Sequence, residues 1–134
     1  MNEALFVDTS AWFSYINARD PDHERLQAIL DAYAASPLTS SYVFDEIVTL
    51  TRARLGHRIA RLVGNILLDP KLVTLLHVTP SDERAAWRLF EQRADKSYSF
   101  TDCTSFIVMR RQKIGLALTL DHHFAQEGFR TVPA

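Results

Sequence analysis

The sequence predicts an α/β protein, a three-layer α/β/α sandwich around a mostly parallel central sheet, and three observations predict it. Short apolar runs recur along the chain, helical patterns of one or two helices lie between them, and the breaks carry residues that start or stop helices. Parallel strands need long crossover connections, and the intervening helical stretches supply them.

The first run sits in "EALFVDTSAWFSYI" and covers residues 4–7. Leu5, Phe6 and Val7 have the continuous apolar character of a strand buried on both faces, yet the run stops on Asp8, followed by the hydroxyls of Thr9 and Ser10. Asp20-Pro21 reads as an N-cap with proline at the first helical position and opens a helix over 21–34. A weaker strand signal covers 38–40, and the helical patterns that follow end at Gly56 and at Asp69-Pro70. After a strand at 72–78, Thr79-Pro80 opens a helix with Asp82 at its third position and with Ala86, Leu89 and Phe90 on one stripe. Runs at 116–120 and 129–132 complete the sheet. Without a linker, repeat or low-complexity segment, residues 1–134 read as one compact domain.

Composition narrows the function class. No apolar run approaches the roughly 18 residues of a membrane span, and no basic stretch leads into an apolar block, so the reading is a soluble, unprocessed, cytoplasmic protein. The single cysteine, Cys103, excludes an internal disulfide and a cysteine-ligated zinc site, and reads as a small core residue. A net charge of −1 hides an uneven distribution, because "TRARLGHRIAR" groups Arg52, Arg54, Arg58 and Arg61 with no acid among them. That segment is either a solvated helix face or a patch that contacts phosphates.

The acids carry the chemistry. Open parallel sheets place their sites at the carboxyl ends of strands, where Asp8 sits, and "GLALTLDHHF" ends a second apolar run on Asp121. Thr119, two residues earlier, projects to the side of Asp121 and is placed to steady it. In "SSYVFDEIVTL" helical geometry separates two neighbouring acids. Val43, Ile47 and Leu50 form one stripe with Glu46 on its flank, whereas Asp45 points nearly opposite, to solvent. In "SYSFTDCTSFIVM" Asp102 heads a stripe with Phe106 and Met109, but Ser99 and Asp102 also have capping-box spacing, so capping and ligation both remain open. Asp95 reads as a loop acid. Four carboxylates projected toward one sheet edge, with no matching cation, repel one another, and a divalent ion resolves the conflict. Oxygen ligation suits Mg²⁺ or Mn²⁺. His122 and His123 lack the spacing by which two histidines share a metal on one helix face and read as helix-start residues; Trp12 and Trp87 read as core or partner contacts.

In the ordered series "FVDTSAW", "YVFDEIVTL", "DKSYSFTDCTSFIVM" and "ALTLDHHFAQEGF" the chain resembles the PIN-domain ribonucleases and, within them, the VapC-type toxins of bacterial toxin–antitoxin modules. The resemblance covers essentially the whole chain. It implies a PIN-like fold with metal-binding, catalytic acids at Asp8, Glu46, Asp102 and Asp121, of which Asp8 and Asp102 are the usual direct ligands. It further implies a Mg²⁺- or Mn²⁺-dependent endoribonuclease of the cytoplasm. Such a toxin cuts single-stranded or loop RNA, commonly tRNA or rRNA, is silenced by a cognate antitoxin, and assembles as a homodimer. Asp95 matches an extra acid of one subgroup.

Rival readings lack their signatures. A receiver domain calls for an acidic pair after its first strand and a phospho-accepting Asp after a central one, and the 72–78 run ends on Thr79-Pro80 instead. A haloacid-type phosphatase calls for D-x-D where "DTSAW" stands. An RNA-processing nuclease without an antitoxin, and a non-catalytic interaction module, stay as alternatives.

Overall fold

The computed structural model describes residues 3–33 and 35–134. Its centre is a five-stranded sheet in the order β3-β2-β1-β4-β5, built from β1 (Leu5–Val7), β2 (Leu38–Ser40), β3 (Thr74–Leu76), β4 (Leu116–Leu118) and β5 (Arg130–Val132). Every pairing is parallel, which makes the expected "mostly parallel" sheet wholly so. Seven helices are described around it: α1 (Thr9–Ile16), α2 (His23–Asp31), α3 (Ser41–Leu55), α4 (His57–Leu68), α5 (Pro80–Gln92), α6 (Phe100–Arg111) and α7 (His123–Gln126). All three residues of β1 and all three of β4 are buried. Because successive side chains of a strand point to opposite faces, helices must cover both sides of the sheet.

The topology itself locates a crevice. From β1 the chain moves outward to β2 and β3, then crosses back to add β4 on the other flank of β1, so the strand order reverses between β1 and β4. Ligands of open α/β sheets bind outside the carboxyl ends of the strands at such a switch point. Phe6 aligns with Ala117 and Val7 with Leu118, which brings the chain after Val7 beside the chain after Leu118.

Element edges depart from the sequence reading where side chains intercept backbone donors. The strand expected to run to 120 ends at Leu118, because the Leu120 amide donates to Ser10 Oγ (3.0 Å) instead of a neighbouring strand. The 72–78 run shortens to Thr74–Leu76 for the same reason: the Val78 amide donates to Ser41 Oγ (2.9 Å), and Val73 is tied back to the Asp69 carbonyl. The second helix begins at His23 rather than Pro21, since Asp20 Oδ1 accepts from the Asp22 amide (2.8 Å) and holds 21–22 in a turn. Its expected end at Ala34 lies outside the described residues.

Other boundaries match. Gly56, with φ of 94°, closes α3 and opens α4, a backbone conformation that side chains strain to adopt. Thr79 and Asp82 form a reciprocal capping box at α5, as do Ser99 and Asp102 at α6. On α5, Ala86 and Leu89 are buried as expected, but Phe90 is not. Cys103 and Trp12 are core residues, the indole N–H donating to Thr39 Oγ1 (3.2 Å).

Candidate metal centre

One open cleft of about 440 Å³ at the carboxyl edge of the sheet is lined by all four acids singled out from the sequence, Asp8, Glu46, Asp102 and Asp121. Each comes from a different element. Asp8 follows β1 and caps α1, Glu46 lies on α3, Asp102 on the first turn of α6, and Asp121 between β4 and α7. Val43 and Leu50 line the same wall as Glu46, while Asp45 is exposed, as the helical phase requires. Among the described residues no lysine or arginine lines the cleft. The amino ends of α1 and α6 open on it, and their dipoles offset part of the acidic repulsion.

Asp8 is only 4% exposed, and its carboxylate is fully engaged. Oδ1 accepts from Ser10 Oγ (2.7 Å) and the Ala11 amide (3.2 Å), and Oδ2 accepts from Thr119 Oγ1 (2.9 Å). Burial, and after it the nearby Asp121 carboxylate, push the Asp8 carboxyl up to about 7 against these three donors. Thr119 therefore steadies Asp8 rather than the side chain of Asp121; toward Asp121 it only accepts from the backbone amide (3.2 Å).

Capping and site duty, left open for Asp102 by the sequence, fall on one carboxylate. Oδ2 accepts from the Ser99 amide (3.0 Å) and meets His123 Nδ1 (2.8 Å), while Oδ1 makes no hydrogen bond among the described residues. Burial, and with less weight Asp121, raise the Asp102 carboxyl against the Ser99 amide and His123. A capping box thus orients an acid without using it up.

Sequence reasoning missed His123. It does start α7, as read, but its ring turns inward and reaches Asp102, whereas His122 is exposed. Its Nε2 lies 3.3 Å from Ser97 Oγ, and its main-chain amide donates to Asp121 Oδ1 (3.0 Å). An oxygen of Asp102, one of Asp121 and a ring nitrogen of His123 all fall within 4.8 Å of one another. The available signal was that "DHHF" places a histidine two residues after a site acid. Asp8 and Glu46 line the cleft outside this tightest group. Asp95 does not line it and is exposed beside Lys96.

Behind His123 a second polar cluster anchors α7. The Tyr98 ring meets the imidazole edge to face (5.4 Å between centroids), and its hydroxyl donates to the buried Glu127 carboxylate (3.0 Å). Arg93 (2.9 and 3.0 Å) and Arg110 (2.9 Å) donate to the same group. Burial acts to raise the Glu127 carboxyl, but these donors outweigh it and hold it down at about 2.

The donor set fits a hard divalent cation. Converging carboxylate oxygens, one nearby imidazole, and room for several waters are the requirements of such an ion, and a positively charged side chain that would neutralise the acids is missing from the lining.

Comparison with known proteins agrees with this geometry. A family model described as "PIN domain" matches residues 5–129. The chain is 37% identical over 125 residues to "23S rRNA-specific endonuclease VapC20" of Mycobacterium tuberculosis, covering 93% of this chain and 95% of that protein. The crystal structure of that Mycobacterium tuberculosis VapC20, titled a sarcin-ricin loop cleaving toxin, superimposes with a TM-score of 0.90 at 36% identity, covering 94% of this chain and 96% of the other. The fold also matches VapBC2 from Rickettsia felis bound to promoter DNA, with a TM-score of 0.69 at 11% identity over 96% of each chain.

Proposed function

The chain belongs to the PIN domain family, and from that premise we propose that it is a metal-dependent endoribonuclease and the toxin of a toxin–antitoxin pair. Ribosomal RNA is its substrate, by its likeness to a 23S rRNA endonuclease over nearly the whole chain. The observation that carries the reading is the convergence of Asp8, Glu46, Asp102 and Asp121 from four separate elements on one cleft free of basic side chains. Residues 1–134 act as one catalytic unit. No described helix is long and apolar enough to cross a membrane, which accords with work on RNA in the cytoplasm.

Asp8, Asp102, Asp121 and Glu46 would hold Mg²⁺ or Mn²⁺. Bound there, such a cation lowers the pKa of a water and meets the charge that builds on a phosphodiester under attack. The chain's own contribution is order. Ser10 and Thr119 fix both oxygens of Asp8, the Ser99 amide fixes one oxygen of Asp102 and leaves the other for ligation, and the turn after β4 sets Asp121. Pre-set ligands of this kind need no reorganisation when substrate arrives. The apolar flank of Val43 and Leu50 dries one wall of the cleft.

The test is incubation of purified protein with 23S rRNA and, separately, with tRNA, in Mg²⁺ or Mn²⁺ and in EDTA, with cut positions read by primer extension. Site-limited cleavage of the ribosomal RNA that EDTA abolishes is expected. Cleavage that persists unchanged in EDTA removes the metal-dependent reading, and cleavage confined to tRNA removes the ribosomal one.

A further inference from the structure

The outer face of α5 carries an apolar surface that the cleft chemistry does not use. Trp87 is 54% exposed and Phe90 39% exposed, and their rings stack at 5.6 Å. The patch continues through Phe100, which contacts both, to Tyr42. An exposed tryptophan stacked in a contiguous aromatic patch marks an interaction surface rather than a stray apolar residue. The sides of the patch are charged by Glu83, Arg84, Arg88 and Glu91. Among the described residues Arg84, Arg88 and Glu91 form no ion pair, and Glu83 accepts from the Tyr42 hydroxyl.

The order of these residues decides between occupants. Two acids and two bases balance, so the face offers a polyanion no net attraction, which argues against RNA. The order is, however, complementary to itself. A two-fold axis perpendicular to α5, passing between Trp87 and Arg88, lays the helix antiparallel on its own copy. Arg84 then stands opposite the partner's Glu91, Trp87 opposite the partner's Arg88, and Glu83 opposite the partner's Gln92. No two like charges are opposed. The central pair sets a guanidinium against an indole, a cation–π contact between the two residue types that most often dominate interface energies. Self-complementarity of one patch is the requirement of a closed two-fold dimer.

We propose that the Trp87–Phe90 face of α5 seats the same face of a second copy of this chain, antiparallel, about an axis between Trp87 and Arg88. Phe100, at the rim of the patch, is followed directly by Thr101 and Asp102 of the cleft, so interface and cleft share the first turn of α6.

The experiment is sedimentation velocity on the free full-length chain over a range of concentrations, with circular dichroism as a check that each variant is folded. Arg84 and Glu91 are exposed, so their replacement leaves the core intact. The parent is expected to be a dimer, and Trp87→Ala to raise its dissociation constant at least about tenfold. Arg84→Glu sets an acid against the partner's Glu91 and Glu91→Arg sets a base against the partner's Arg84, so each alone dissociates the dimer. The double exchange Arg84→Glu with Glu91→Arg restores it to within about threefold of the parent. A parent that is monomeric throughout, a dimer indifferent to Trp87→Ala, or a double exchange that stays monomeric overturns the proposal. A monomer whose RNA affinity falls on Trp87→Ala reassigns the face to RNA.

Discussion

Asp8→Asn in the metal-free protein separates a ligand from a structural acid. Burial and Asp121 lift the Asp8 carboxyl from 3.8 to about 7, so the folded chain holds a proton there that the unfolded chain has released. Between those values the unfolded state binds fewer protons, and stability falls as pH rises. The interval corresponds to about 4 kcal/mol at about 1.4 kcal/mol for each pH unit, present in full below pH 3.8 and lost above pH 7. Asparagine removes the titration and keeps the contacts. Its oxygen accepts from Ser10 and Ala11 as Oδ1 does now, and its amide faces Thr119 Oγ1, now 2.9 Å from Oδ2. Thr119 then accepts from that amide as well as from Asp121, and turns its own proton to Ser10 Oγ at 3.4 Å. Urea unfolding of parent and variant in EDTA, at intervals from pH 4 to pH 8, measures the difference directly, because every other titrating group is common to both. The stability of the variant relative to the parent should climb by about 4 kcal/mol across that range. Added Mn²⁺ should stabilise the parent and not the variant, and the variant should not cleave RNA. A stability difference that does not change with pH refutes the account of Asp8 as a desolvated carboxylate held ready for a cation.

Three further outcomes follow from the same geometry. Glu46→Gln should lower cleavage by about 10- to 100-fold, as loss of a group that supports a metal site does, while Asp45→Asn should leave the rate near that of the parent; equal effects in a single-turnover assay contradict the helical phase. Asp102→Asn keeps an oxygen for the Ser99 amide, so urea unfolding should show a loss of at most about 1 kcal/mol, yet Mn²⁺ affinity by calorimetry and cleavage should both collapse. Glu127→Gln should cost about 2–3 kcal/mol at pH 7, tempered by the partial exposure of Arg93 and Arg110. Because the folded carboxyl is depressed to about 2, that contribution is present above pH 4.5 and drains away as pH falls toward 2, so parent and variant should converge in acid unfolding curves.

What the sequence determined by itself was whatever is written in local periodicity. A continuous apolar run cut off by an acid identified β1 and Asp8, helical phase separated Glu46 from Asp45, and S-x-x-D spacing located the start of α6, because each of these depends only on neighbours a few residues away. Strand ends at Leu118 and Leu76 escaped that reading, since hydroxyls more than thirty residues away in sequence take the next donors. Only the tertiary structure decided which acids meet. The reversal of strand order between β1 and β4 sets Asp8 beside Thr119 and Asp121, a pairing across more than a hundred residues that no window of sequence contains. His123 joined the site for the same reason: its ring is turned toward Asp102 by the packing of α7 against α6 and by the Tyr98–Glu127 cluster behind it. Distances between residues far apart in the chain are set by how helices and strands bury their apolar faces together, and side-chain direction at a helix start is settled by that packing rather than by residue type.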